Sequence, residues 1–404
     1  MHIVSALSWS PDGQTLASGS WDTRVWLWPV EDGPGHTLPG NIQWASNYPL
    51  WSPDGKYLAT GAINARLWEA ATGKFLEALP EHVGVARAWS PNSKWLTTTD
   101  PKGGVWIWGA EARALRCSMH SYDRPVRAAA WSPDGKLLAT GNDGGIVLLW
   151  GANAGDKGWT KGNVPGWTTL PGHPPGKYGI SAIAFAPNGA TLAAGSSDGK
   201  VDLWDVKQQR PQVTRALHKG AVKSLVWAPG GKVIATGGED SLVKLWEPDT
   251  GKVLLTLTGF RGNIWALAFS PDGKTLVAAD GWGDVQLWNS ATGGRLCRLN
   301  GPTIPVLSLS WSPDGRRLAG GGELATTHVW DVASGQVRAV LLGLPRDRAL
   351  AVGASGHYRC TPGVERDLVY VVQTERGQET LTPPEFARRY GWKNDPEQVR
   401  PAGQ

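Results

Sequence analysis

General acid–base catalysis needs a proton donor and an acceptor side by side, and the recurring segments of this 404-residue chain provide neither. Seven-residue segments that end at an aromatic residue recur eight times, and none of them contains Asp or Glu. The charged side chains in these segments are Arg87, Arg127 and Lys223. Neither a Walker loop nor an H-E-x-x-H motif is present. The sequence therefore predicts a protein that is not an enzyme.

The eight aromatic residues, here called anchors, mark an internal repeat. Each anchor begins a string close to aromatic-Ser/Ala-Pro-Asp/Asn-Gly, and a tryptophan follows it at a similar distance. Two registers with one common period indicate eight units of one architecture. The anchors are Trp9, Trp51, Trp89, Trp131, Phe185, Trp227, Phe269 and Trp311, and the tryptophans that follow them are Trp28, Trp68, Trp108, Trp150, Trp204, Trp246, Trp288 and Trp330.

Each unit is predicted to form four short strands separated by turns. In the sixth unit the strands are expected at 221–227, 233–237, 242–246 and 252–257, and the Pro and Gly residues after each anchor are typical of a hairpin turn. A four-stranded sheet with two apolar faces is not stable alone, but radial stacking buries both faces. The 24 tryptophans can fill the wide gaps between such sheets. We therefore expect an all-β, eight-bladed β-propeller over residues 1–343.

The motifs Trp-Ser-Pro-Asp-Gly, Leu-Ala-Thr-Gly and Val-x-Leu-Trp resemble the WD-repeat family over about residues 2–343. The resemblance implies a hydrogen-bonded tetrad in each blade, and the sixth unit matches it best, with His218, Thr236, Asp240 and Trp246. The turn Asp stands six residues before the tryptophan in three units, at Asp22, Asp198 and Asp240. Asn64 and Asp143 lie near this place in two other units, and Trp282 occupies it in the seventh. Packing is expected to hold those blades more than the tetrad does.

Residues 344–404 are predicted to form an extension with two strands and a short helix. The strands are expected at 349–358 and 368–373, with a degenerate turn at 353–356, and they are candidates for clasping the ring beside its first or last blade. Thr382 and Glu385 form a capping-box pattern that opens a helix over about 383–390, which Gly391 ends. This extension resembles the closing segment of large bacterial WD-repeat proteins, some of which append propellers to serine/threonine kinases. The chain itself carries no kinase motif.

The resemblance also implies that a partner binds the face that carries the loops into the first strands and the turns between second and third strands. Aromatic and charged residues gathered on one face are typical of interface hot spots. These residues predict a scaffold that binds a protein or peptide. The matching positions are Trp21, Tyr122, Arg124, Arg127, Lys223, Glu239, Phe260, Arg261, Trp265 and Trp282.

Two alternatives remain open for these residues. Exposed tryptophans could instead stack on a glycan or on single-stranded nucleic acid. Trp265 could pack inside the channel while Trp282 fills the place of a missing tetrad Asp. A hydrolase would need acids from the insertion between Trp150 and Gly172, such as Asp156.

Composition and charge limit the kinds of partner and the cellular compartments that can be expected for this protein. The net charge of +5 comes without a polybasic run, so nucleic acid is not the favoured partner. No run of 18 apolar residues and no secretory leader are present, which argues against a membrane protein and against export. Cys117, Cys297 and Cys360 are scattered, so neither a disulfide framework nor a zinc site is expected. The sequence predicts a cytoplasmic monomer without cofactor or metal.

Overall fold

A tight turn after each anchor joins the first strand of a unit to the second. The computed structural model describes residues 4–20, 24–30, 36–38, 49–60, 65–79, 85–120, 124–151, 168–170, 178–299, 305–322, 326–344, 348–374, 377–396 and 399. After the first anchor, the Ser10 hydroxyl donates to Asp12 Oδ1 (2.5 Å) and accepts the Thr15 N–H (2.9 Å). Gly13 takes a φ of 70° in this turn, which favours glycine. The chain therefore reverses directly behind the anchor and returns as the second strand.

Eight antiparallel sheets follow one another along the chain, each with its strands in sequence order. Blades 1 to 4 contain β1 Val4–Trp9, β2 Thr15–Ser20, β3 Val25–Pro29 and β4 His36–Thr37; β5 Leu50–Trp51, β6 Tyr57–Thr60, β7 Arg66–Glu69 and β8 Phe75–Ala78; β9 Val85–Trp89, β10 Trp95–Thr99, β11 Gly104–Gly109 and β12 Ala114–His120; and β13 Val126–Trp131, β14 Leu137–Asn142, β15 Val147–Gly151 and β16 Thr168–Leu170.

The remaining blades repeat this arrangement, and blade 8 is extended by two strands of the tail. Blades 5 to 7 contain β17 Ile180–Phe185, β18 Thr191–Ser196, β19 Lys200–Asp205 and β20 Arg210–Ala216; β21 Val222–Trp227, β22 Ile234–Gly238, β23 Val243–Trp246 and β24 Val253–Leu257; and β25 Ile264–Phe269, β26 Thr275–Asp280, β27 Val285–Asn289 and β28 Arg295–Leu299. Blade 8 contains β29 Val306–Trp311, β30 Arg317–Gly322, β31 Thr326–Asp331 and β32 Val337–Leu344, followed by β33 Arg348–Gly353 and β34 Tyr358–Cys360. The predicted eight-bladed all-β propeller is confirmed.

The ring closes where blade 8 meets blade 1, with the first strands β29 and β1 in contact. The Leu7 N–H donates to Ser308 Oγ (3.1 Å), and the Trp9 indole donates to the Ser310 carbonyl (3.2 Å). The guanidinium of Arg317 lies 4.9 Å from the centre of the Trp9 ring. Each blade takes its four main strands from one contiguous stretch of chain, so closure rests on this side-by-side seam.

Anchor tryptophans connect blades as well as filling the space between them. In five blades the indole N–H donates to the carbonyl of the residue just before the anchor of the preceding blade. Phe185 and Phe269 have no indole N–H to donate, and the Trp131 indole donates to Thr97 Oγ1 (2.9 Å). The five bonds run from Trp9 to Ser310 (3.2 Å), Trp51 to Ser8 (3.0 Å), Trp89 to Leu50 (2.9 Å), Trp227 to Ala184 (3.1 Å) and Trp311 to Ala268 (3.2 Å).

Third-strand tryptophans form the centre of each blade. In blades 1 to 4 each indole N–H donates to a Ser or Thr hydroxyl on the second strand. The Ser or Thr stands nine residues after the anchor, a place that Ala or Gly takes in blades 5, 7 and 8. The pairs are Trp28 with Ser18 (2.8 Å), Trp68 with Thr60 (2.8 Å), Trp108 with Thr98 (3.2 Å) and Trp150 with Thr140 (2.7 Å).

The tail contains more strands than the two that the sequence predicts. The strand expected at 349–358 is a hairpin, because 354–356 form a turn between β33 and β34. The strand expected at 368–373 is β35 Tyr370–Thr374, which pairs with β36 Gly377–Leu381. The sequence of β36, Gly-Gln-Glu-Thr-Leu, lacks the alternation that reveals a strand. Helix α1 Pro383–Tyr390 has the predicted bounds, capping box and left-handed Gly391.

Beyond these elements, the tail contacts blade 8 and the closing seam. β33 pairs with β32, so the tail covers the outer edge of the last blade. Val399 is fully buried in the hydrophobic cluster that blades 1 and 8 share. The tail therefore lies against the last blade and reaches the seam that closes the ring.

His328 gives blade 8 a pH-dependent stability. Its ring stacks on Trp330 (5.7 Å between centroids, 16° between planes), and burial lowers its pKa from 6.5 to about 4. The His328 imidazole binds a proton more tightly in the unfolded chain than in the folded protein. The free energy of unfolding therefore falls as the pH drops from about 6.5 towards about 4. Between about pH 7 and about pH 4.5, the free energy of unfolding measured with urea should fall by about 2 kcal/mol more in the wild type than in His328→Phe. Equal losses would contradict this.

Candidate interaction site

A bulge at the start of the first strand aims one side chain of each of six blades out of the ladder. The bulged residue stands four positions before the anchor, between two residues that stay paired with the second strand. Bulges re-aim side chains and are common next to functional sites. These residues are Ser5, Arg127, Ser181, Lys223, Trp265 and Leu307. Because first strands of neighbouring blades touch, these residues follow one another from blade 4 to blade 8 and on to blade 1, and together they are here called the bulge ring.

Three of the predicted partner-binding residues contact one another across the seam between blades 6 and 7. Lys223 Nζ lies 2.8 Å from Glu239 Oε1 and 5.0 Å from the centre of the Trp265 ring. Glu239 Oε2 also accepts the Ala221 N–H (3.0 Å). The Lys223 ammonium and this N–H hold the pKa of Glu239 below its usual range. Glu239, Lys223 and Trp265 thus form a continuous strip across the seam between the two blades.

Trp282 continues this strip on the turn between β26 and β27. A Cβ on Gly262 would overlap Trp282 Cδ1, and a Cβ on Gly281 would lie 3.0 Å from Trp265 Nε1. Glycine at both positions therefore lets the two indoles lie against the same pair of loops, which the Gly281 N–H joins by donating to the Asn263 carbonyl (3.0 Å). Trp265 is 39% exposed and Trp282 is 68% exposed. We call Lys223, Glu239, Arg261, Trp265 and Trp282 the tryptophan strip.

Asp280 holds the loops of this strip in place, and sequence reasoning missed it. Its buried carboxylate accepts four backbone N–H groups, two from its own turn and two from the loop that enters β25. The donors are Trp282 (2.8 Å), Asp284 (2.9 Å), Arg261 (2.9 Å) and Gly262 (3.2 Å). The Arg261 side chain is exposed and makes no ion pair or hydrogen bond among the described residues.

The same position carries an acidic or amide side chain in two further blades. Asp100 and Asn142 stand eleven residues after their anchors, as Asp280 does. Like Asp280, each accepts a backbone N–H from two and from four residues further along the turn. The bonds reach Lys102 (2.7 Å) and Gly104 (2.8 Å) in blade 3, and Gly144 (3.0 Å) and Ile146 (2.8 Å) in blade 4. Three of the blades without the tetrad Asp at its usual place thus have a second polar device, beyond the packing expected for them. The constant spacing of eleven residues is a signal that could have revealed it.

Blade 6 contains most of the hydrogen bonds implied for the tetrad. His218 Nδ1 lies 2.8 Å from Asp240 Oδ1, and its Nε2 lies 2.9 Å from Thr236 Oγ1. Burial lowers the pKa of His218, so the ring is neutral at pH 7. Burial alone would raise the pKa of Asp240, but hydrogen bonds from His218 and the Lys219 N–H lower it. The Trp246 indole N–H is buried and makes no hydrogen bond within the described part of the chain.

The other predicted partner-binding residues lie apart from the strip. Arg127 forms a bidentate ion pair with Asp143 in blade 4 (2.7 to 2.9 Å), and Arg124 is exposed near it, beside Gly144. Phe260 is a correction, because its ring is 9% exposed and packs 6.3 Å from Trp288 in the core of blade 7. An aromatic residue at a loop position predicts surface exposure, but the loop folds the Phe260 ring inward. Trp21 and Tyr122 lie outside the described residues, as does Asp156.

The cysteine thiols are the next groups to consider as nucleophiles or metal ligands. Burial raises the pKa of Cys117 to about 12, and burial together with Glu365 raises that of Cys360 to about 11, so both thiols stay protonated. Burial also raises the pKa of Cys297. Among the described residues, no three His, Cys, Asp or Glu side chains are grouped to hold a metal ion. Across the same part of the chain, no helix is long and apolar enough to cross a bilayer.

The blades, the tetrad of blade 6 and the anchor turns together define a propeller of the WD-repeat class. The chain matches the family model of the nucleolar protein 10-like N-terminal domain, a β-propeller, over residues 79–281. The model of the WD domain, G-beta repeat, matches residues 1–29 and 293–331. The chain therefore belongs to the WD-repeat β-propeller family. Propellers of this family generally serve as scaffolds for protein interactions.

Solved structures share this fold at low sequence identity. The C-terminal WD40 domain of Sif2 superimposes with a TM-score of 0.69 at 18% identity, covering 82% of this chain and 96% of that domain. The computationally designed Ika8 protein gives 0.67 at 21% identity with the same coverage. No curated protein matches the sequence. At these identities the structures establish the fold alone.

Proposed function

We propose that this protein is a non-enzymatic scaffold that binds a protein or peptide at the tryptophan strip. The observation that carries the proposal is the pair of neighbouring indoles, Trp265 and Trp282, which are 39% and 68% exposed. Tryptophan is the residue most typical of interface hot spots, and exposed aromatic surface of this kind is uncommon without a partner. Asp280 already holds the turn that carries Trp282 and the loop that enters the strand of Trp265, so binding costs little ordering of the backbone.

Charge pairing favours a protein partner over nucleic acid. A phosphate backbone is bound by cations that are free to contact it. On the bulge ring, Lys223 is paired with Glu239 and Arg127 with Asp143. This leaves Arg261 as the single cation of the tryptophan strip without an ion pair among the described residues. Such paired groups suit the polar rim of a protein interface, where charge sets specificity. A glycan that stacks on Trp282 is the alternative, and it would bind without dependence on salt.

The test is the recovery of partners by the wild type, by Trp265→Ala/Trp282→Ala and by Leu296→Ala. Leu296 is 56% exposed on the outer strand of the same blade, so it controls for loss of an exposed apolar side chain. The double variant should lower partner affinity by about 30-fold or more, which corresponds to one hot spot. Leu296→Ala should bind as the wild type does. Unchanged recovery by a folded double variant would remove the strip as the binding site.

We also propose that the protein works in a reducing compartment, such as the cytoplasm. Its three cysteines are all free, and Cys117 is buried. Small cysteine numbers without pairing are typical of proteins in reducing compartments.

A further inference from the structure

The tail of the chain forms a cavity of about 620 Å³ that lies apart from the tryptophan strip. Its walls come from the 3₁₀ helix Val364–Asp367, the start of helix α1 and the segment 392–394, and its floor is Tyr358 of β34. Pro383, Pro384, Ala387 and Trp392 provide the apolar part of the lining. A volume of this size falls within the roughly 300–1,000 Å³ of small-molecule sites.

Hydrogen bonds and ring contacts hold the lining of this cavity in place. The Asn394 side chain accepts the Tyr358 N–H (2.8 Å) and donates to the Tyr358 carbonyl (2.9 Å), as a neighbouring strand would. The Asp395 N–H donates to His357 Nδ1 (3.0 Å), and Trp392 stacks on the His357 ring at 4.9 Å. The indole of Trp392 is therefore fixed before anything binds, which lowers the entropic cost of binding.

Charge at the cavity is unbalanced. Arg366 and Lys393 line it, both are exposed, and neither side chain has an ion-pair or hydrogen-bond partner among the described residues. Glu365 is the one acidic residue of the lining, and it lies beside the Cys360 thiol, so the two cations outnumber the acidic group. The N-terminus of α1 is satisfied by Glu385, whose carboxylate accepts the Thr382 N–H (2.8 Å). The two cations are therefore the groups left to meet a ligand.

We propose that this cavity binds a small ligand with an apolar, ring-sized body and one anionic group, either a carboxylate or a phosphate. The body lies between Trp392 and the prolines, and the anion lies between Arg366 and Lys393. Guanidinium and ammonium groups form strong, charge-assisted hydrogen bonds with both kinds of anion. This function is separate from the scaffold role, because the cavity shares no residue with the tryptophan strip.

The probes are phenylacetate, phenyl phosphate and the neutral phenylacetamide, measured by ligand-detected NMR on the full chain. The wild type should bind at least one anion roughly tenfold more tightly than the amide. The anion that binds more tightly shows whether the natural ligand carries a carboxylate or a phosphate. Arg366→Gln/Lys393→Gln should lose that preference. Ala387→Phe, which fills the cavity from α1, should lose binding of all three probes. The control Arg388→Gln/Lys274→Gln removes two cations outside the lining and should bind as the wild type does.

Thermal unfolding checks that each variant is folded, which separates loss of the site from loss of the fold. The proposal is overturned if the amide binds as tightly as both anions, if the Arg366/Lys393 variant keeps the preference, or if none of the probes binds the wild type at millimolar concentration. Failure of the tryptophan-strip experiment leaves this result untouched, since the two experiments share no variant.

Discussion

Replacing Trp246 with alanine is expected to lower the free energy of unfolding by about 3–5 kcal/mol. The Trp246 side chain is fully buried in blade 6, between residues of its own blade and of blade 5. Truncation removes its buried area and leaves a cavity that strands on both sides cannot fill, because they are fixed by their ladders. Urea or thermal unfolding measures the loss. A change below about 1 kcal/mol would contradict this view of the blade core.

A matched pair of Trp→Phe variants separates packing from hydrogen bonding. The Trp150 indole donates to Thr140 Oγ1 at 2.7 Å, whereas the buried Trp246 indole N–H has no hydrogen bond within the described residues. Both replacements remove the same volume from equivalent places. We therefore expect Trp150→Phe to cost about 1 kcal/mol more than Trp246→Phe. The reverse order would show that Trp246 makes a hydrogen bond that its geometry does not provide.

Replacing Asp280 with alanine is expected to cost about 3–4 kcal/mol, since four backbone N–H groups lose their acceptor. Asp280→Asn keeps one side-chain oxygen in place and should cost less than half as much. Chemical unfolding measures both losses. Asp249→Ala, in an exposed turn, is the control and should stay within about 0.5 kcal/mol of the wild type.

Hydrogen exchange shows whether Asp280 also positions the tryptophan strip. In Asp280→Ala, the amides of 261–262 and 282–284 should exchange much faster, while those of the equivalent turn in blade 6 keep their protection. A global rise in exchange, with no local excess at these residues, would mean that Asp280 stabilises blade 7 without ordering its loops.

The architecture was predictable because one pattern is repeated eight times. Anchor, turn and third-strand tryptophan recur in the same order, so a misread strand in one unit is corrected by the other units. The choice of tryptophan at the anchor and third-strand positions also pointed to this architecture, because an indole both fills a gap between blades and donates one hydrogen bond. The hydrogen bond from each anchor to the preceding blade, however, depends on how neighbouring sheets stack, which no local spacing gives.

The site was predictable in part. Position in the repeat placed Lys223, Glu239, Trp265 and Trp282 on one face, but it could not tell that Phe260 turns into the core while Trp282 turns out. The two residues lie in loops of similar composition, and only the path of each loop decides their burial. Asp280 was missed because it ends a strand, two positions before the turn residue that the tetrad would use. The tail was hardest, since it occurs once and offers no second copy to compare.

The side-by-side seam has a consequence for how the protein is made. Leu7 and Ser308, which meet there, are separated by 301 positions. Blade 1 leaves the ribosome long before blade 8 is translated. The apolar face of blade 1 that packs against blade 8 therefore stays exposed to water until blade 8 has been made. Slowing translation of the codons for blades 7 and 8 should therefore prolong the interval in which nascent chains recruit chaperones or aggregate.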